Sequence, residues 1–105
     1  MKMKITGTFL NLPVKDLNQT IDFFSKLGFE FNPQFTDENA TCMIINETSY
    51  AMLLKESYFQ TFTKKSIADA STSTEVITAL SVGSKEEVDE IVNKALEAGG
   101  KHSAE

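Results

Sequence analysis

One cysteine among 105 residues cannot close an internal disulfide, which removes the class of small, cross-linked secreted scaffolds. Long apolar runs are also missing. The N-terminal MKMKITGTFLNL carries two lysines with no apolar stretch behind them, and nothing approaches the roughly 18 apolar residues of a membrane span. Cations are scarce: 10 Lys+Arg stand against 15 Asp+Glu, a formal charge of −5. Wrapping a phosphate backbone needs clustered basic residues, so no nucleic-acid partner is expected. Tryptophan is absent, and histidine occurs once, at the terminal His102, from which no Ser-His-Asp set can be assembled. Gly99-Gly100 follows a helix pattern, whereas a phosphate-cradling loop precedes one. What is present is 41% apolar and 24% charged residues, the proportions of a globular protein of one domain. The expectation is a small cytoplasmic domain.

Thr8 to Val14 (TFLNLPV) alternates as a strand, with Leu10, Leu12 and Val14 on one face and Phe9, Asn11 and Pro13 on the other. Pro13 cannot donate to a ladder, which predicts a sheet edge. Asp16 fits an N-cap. Leu17, Ile21, Phe24 and Leu27 then follow at helical spacing until Gly28. Three more strands are predicted: Phe29–Phe35, broken at Asn32-Pro33, then Ala40–Asn46 and Tyr50–Leu54. Tyr58, Phe59 and Phe62 suggest a short amphipathic turn, and Ala70 to Glu75 a polar loop. Val76–Val82 (VITALSV) reads as a fifth strand. Ser84 and Glu87 form an S-x-x-E capping box, ahead of a second helix with a Val88, Ile91, Val92, Ala95, Leu96 stripe that ends at Gly99-Gly100.

A shift of 68 residues lays Leu12 on Leu80, Val14 on Val82, Asp16 on Ser84, Phe23 on Ile91 and Phe24 on Val92. Each copy runs strand, cap, amphipathic helix, glycine stop. The first continues into three strands, a β-α-β-β-β module; the second stops after its helix. About 25 further residues would complete it, so the second module is expected to be truncated. The predicted fold class is α+β, built of paired β-α-β-β-β modules within one domain. Residues 5–70 hold the first module with its connecting segment, and 75–105 the start of the second.

The segments FLNLPVKDLNQTIDFFSKLGFEF (Phe9 to Phe31), YAMLLKES (Tyr50 to Ser57) and EVITALSVGSKEEVDEIVNKALEAGGK (Glu75 to Lys101) resemble the glyoxalase, bleomycin-resistance and extradiol-dioxygenase superfamily. Its members are also called vicinal oxygen chelate proteins. The likeness is to the branch labelled predicted lactoylglutathione lyase. It implies a cupped sheet, a small-molecule cleft and a homodimer. For the metal enzymes of the superfamily it also implies one ligand from each of four strands. Here those positions fall on Phe9, Leu53 and Ile77, with the fourth beyond Glu105. Phenylalanine, leucine and isoleucine offer no lone pair to a cation. The neighbouring Thr8, Leu10, Met52, Leu54, Val76 and Thr78 are poor substitutes. No metal, no cofactor and no catalytic residue are therefore expected.

The resemblance places Phe9, Asn11, Ala51, Leu53, Ile77 and Ala79 on the concave, ligand-binding face, and Leu10, Leu12, Leu80 and Val82 against the helices. Asn11 is the orienting group, since its amide both donates and accepts. Tyr58, Phe59 and Phe62 are either a lid or core filling. Cys42, within ATCMII, reads as a buried thiol, and His102, Glu47 and Glu56 as solvated. The leading expectation is metal-free binding of a small apolar or aromatic molecule. The alternatives are a metal-dependent lyase or dioxygenase with unseen ligands, and a structural dimer with a vestigial cleft.

Overall fold

β1 (Thr8–Val14) leads through Lys15 to Asp16, whose carboxylate accepts from the Gln19 N–H at 3.0 Å and opens α1 (Leu17–Lys26). The computed structural model that gives this geometry describes residues 3–69, 71–73 and 76–100. Helix α1 stops where Gly28 takes φ +100°. The Gly28 N–H donates to the Ser25 carbonyl and the Phe29 N–H to that of Phe24. The Phe24 and Phe29 rings meet edge to edge-face at 5.7 Å, completing a glycine-stopped helix end with its hydrophobic contact.

β2 is only Glu30–Asn32. The expected strand to Phe35 is cut short because the Asn32 side chain accepts from the Gln34 N–H and Pro33 starts a 3-10 turn over Pro33–Phe35. β3 runs Ala40–Ile44, two residues short of expectation, since the Ile45 and Asn46 amides both turn to the Ser49 carbonyl. β4 spans Ser49–Lys55 and passes directly into α2 (Glu56–Phe59) and a 3-10 turn (Gln60–Phe62). α3 covers Lys85–Glu97.

The sheet order is β1-β4-β3-β2, with β1 parallel to β4 and the other pairs antiparallel. Leu17 of α1 packs on Met43, Ala51 and Leu53, with Leu12, Val14, Ile21 and Phe24 around them. This sheet face holds the α1 side of the core, and Ala40, Cys42 and Leu54 are buried on the other face. β1 is an edge strand, as Pro13 predicts. The Thr8 N–H donates to the Thr48 carbonyl, so the even-numbered residues turn their backbone groups towards β4. Phe9, Asn11 and Pro13 turn theirs to the open side, where a missing N–H leaves no gap in the ladder.

The repeat extends into the details. The shift that lays Asp16 on Ser84 also lays Gln19 on Glu87, and the Glu87 N–H donates to Ser84 Oγ at 3.2 Å. It lays the Asp22–Lys26 ion pair (3.1 Å) on Glu90–Lys94 (3.0 Å). The second helix then runs one turn further, 13 residues against 10, to a left-handed Gly99. The fifth strand is a correction: Val76–Val82 forms no strand and pairs with none of the described strands. A strand holds its shape through ladder partners, and none lies beside it. Leu80 and Val82, expected against helices, are instead exposed. Helix α3 rests on α1, with Ile91 and Ala95 partly covered and Val88, Val92 and Leu96 open.

Candidate functional site

Ladder partners share a sheet face, so the register decides which side chains can meet. Phe9 stands opposite Tyr50, Asn11 opposite Met52 and Pro13 opposite Leu54. This is the face turned away from α1. Leu10 stands opposite Ala51 and Leu12 opposite Leu53, and both partners lie in the core at 2% exposure. The expected grouping of Ala51 and Leu53 with Phe9 and Asn11 is thus corrected. They occupy opposite faces. Ile77, 87% exposed, and Ala79 lie on the unpaired segment, outside the sheet.

Asn11 has different neighbours from those expected. It lines two adjoining pockets, each of about 420 Å³, and Phe59 and Thr63 line both as well. The first lies along β1 from Leu10 to Pro13 and is lined as well by Ser66–Ala68 and Val76. Leu54 and Phe62 complete the second. Volumes of this size suit small molecules. Phe59 reaches the cleft because α2 follows β4 without an intervening loop. Gln60 fixes the far wall by donating its amide to the carbonyls of Thr63 (3.1 Å) and Lys65 (2.8 Å).

The polar capacity is small and uncommitted. Asn11 Nδ2 makes one long contact, 3.5 Å to the Phe9 carbonyl. Thr63 Oγ1 accepts from the Lys65 N–H at 3.1 Å, leaving its hydroxyl proton to donate. Beside the pockets, Phe9 stacks on Tyr50 with centroids 4.8 Å apart and planes 15° from parallel. Phe9 keeps 57% of its surface exposed. Tyr58, by contrast, sits edge-on to Phe62 at 5.2 Å and lines neither pocket.

These residues do not fit a divalent cation. The β1 and β4 side chains on this face are Phe9, Asn11, Pro13, Tyr50, Met52 and Leu54. Among the described residues no three of His, Cys, Asp and Glu gather at one place. Leu53, an expected ligand position, points into the core, and Ile77 lies in no ladder. Cys42 is 1% exposed on β3, and burial pushes its thiol up. Glu56 is half-buried at the start of α2, whereas Glu47 is exposed. His102 lies outside the described residues.

Asn11 was accessible to sequence reasoning through β1's alternation. Leu54 was not, because YAMLL is apolar on both faces and carries no parity of its own. Phe59 and Phe62 were visible as an aromatic run, and Thr63 gave no signal.

Residues 6–46 match the family described as bleomycin resistance protein-like N-terminal. No curated protein matches the chain. Among solved structures, hypothetical protein SA1046 from S. aureus is 34% identical with a TM-score of 0.73. The match covers 93% of this chain and 72% of that one. A glyoxalase/bleomycin resistance protein/dioxygenase family enzyme from Burkholderia phytofirmans PsJN is 21% identical with a TM-score of 0.62, covering 87% of this chain and 71% of that one. The β-α-β-β-β module, its sheet order and these matches agree: the chain belongs to the glyoxalase, bleomycin-resistance and dioxygenase superfamily of vicinal oxygen chelate proteins.

Proposed function

We propose that this protein binds a small, largely apolar or aromatic molecule in the Asn11–Phe59–Thr63 cleft without a metal ion, and that it does so as a cytoplasmic homodimer. One observation carries the reading: two adjoining pockets of ligand size, one along the β1 edge and one completed by Leu54 and Phe62, share an amide, an aromatic ring and a hydroxyl. Apolar walls supply affinity through burial, and a few polar groups fix orientation. Phe9 and Tyr50 extend this surface with a stacked aromatic platform. Phe9, Ala51, Leu53, Ile77 and Ala79 line neither pocket; of the expected ligand-binding residues Asn11 stays in the pocket wall and Phe9 only beside it.

Native mass spectrometry with and without nickel and zinc is the test, joined to a thermal-shift screen of neutral aromatic compounds. The expected result is no stoichiometric metal, together with stabilisation by at least one compound that Asn11→Ala weakens several-fold. Stoichiometric metal uptake would overturn the metal-free reading and favour the lyase or dioxygenase alternative.

A further inference from the structure

None of the described side chains that wall the cleft is ionisable. The chain as a whole is 24% charged, yet Asn11, Leu54, Phe59, Phe62, Thr63 and Val76 and their neighbours in the two pockets carry no charge. A third groove, of about 520 Å³, shows that this is not general: Lys15, Asp16, Asp22 and Lys26 all line that one. The 105 residues also contain no arginine, and hence no planar fork to clamp a carboxylate or phosphate. Lys64 and Lys65 stand between the wall residues Thr63 and Ser66, but both are exposed and neither lines a pocket.

From this we infer that the cleft selects an uncharged ligand: a flat, mainly apolar molecule with a neutral donor and acceptor such as an amide, a carbonyl or a phenol. The inference rests on the binding function proposed above and names its ligand class. The physical reason is desolvation. An ion entering an apolar cleft gives up hydration and meets no counter-charge. A neutral amide or phenol gives up little, and it can exchange hydrogen bonds with the Asn11 amide and the Thr63 hydroxyl. Charged thiol conjugates, phosphorylated metabolites and polycationic antibiotics are therefore excluded as preferred ligands.

The experiment compares two probes that share one scaffold, N-phenylnaphthylamine and its sulfonate, anilinonaphthalene sulfonate. Binding to the full chain is read by fluorescence titration at low and at high salt. Salt removes the long-range repulsion between a sulfonate and a protein of charge −5 but leaves the local desolvation penalty in place. The neutral probe is expected to bind at least ten-fold tighter at both salt concentrations. Phe59→Ala should weaken it several-fold, and Asn11→Lys, at an exposed position, should reverse the preference towards the sulfonate. Equal binding of the two probes, or tighter binding of the sulfonate, with both sensitive to Phe59→Ala and Asn11→Lys, would overturn the charge selectivity and leave the cleft standing. A preference that vanishes at high salt would likewise overturn it. Binding of both probes that neither variant alters, or no binding of either, would remove the cleft itself and the proposed function with it.

Discussion

Asp16 and Ser84 do the same local work at two places in the chain, each accepting from an amide three residues on. Replacing either by alanine leaves that amide unpaired and should cost about 1 kcal/mol of helix stability. The global consequences differ. α1 carries Leu17 into the core, so Asp16→Ala should lower the urea midpoint of the whole domain. α3 contributes no buried side chain, so Ser84→Ala should mainly speed hydrogen exchange along α3. Cys42 supplies the pH dependence. Its folded thiol titrates above the ordinary value because burial disfavours the thiolate. The stability this confers is complete below the unfolded thiol's pKa of about 8.5 and is lost as pH rises through the folded value. Urea midpoints should therefore fall above that pH in the native protein, and the fall should be smaller in Cys42→Ala. Ellman's reagent should react at neutral pH only as fast as the fold opens.

The elements divide into those whose sequence determines them and those that need a neighbour. β1 and α1 were legible because alternation, an acidic cap, helical spacing and a glycine stop all point the same way. The ends of β2 and β3 were not, since side-chain and backbone bonds at Asn32 and Ser49 decide them. The face parity of β4 was hidden by apolar residues on both sides, and Ala51 and Leu53 were therefore grouped with the wrong surface. Val76–Val82 has the pattern of a strand and no ladder partner among the described residues. Leu53 and Ile77 turn that contrast into numbers: Leu53→Ala should cost 2–5 kcal/mol in chemical unfolding, roughly as core leucines do. Ile77→Ala should stay within about 0.5 kcal/mol.

At the scale of the whole molecule, the radius of gyration is 15.0 Å, against about 13 Å for a compact chain of this length. Ile77, Leu80, Val82, Val88, Val92 and Leu96 are all exposed, and apolar side chains left open in such number suit a contact surface. The proposed homodimer is expected to bury these side chains against a second copy. Light scattering on the eluting protein should give twice 11.6 kDa, and Val92→Asp together with Leu96→Asp should return it to the monomer without loss of α1 or the sheet.

The open side of β1 has a consequence for the protein's solubility. A sheet edge is a template on which further strands of any origin can grow, and this one is flanked by exposed Met3, Ile5 and Phe9. Its outward backbone offers an N–H at Phe9 and at Asn11, and then Pro13 interrupts the row. Growth of a fibril needs an unbroken row of donors, so the proline ring works as a gatekeeper. One residue thus breaks the row of donors that an added strand would need.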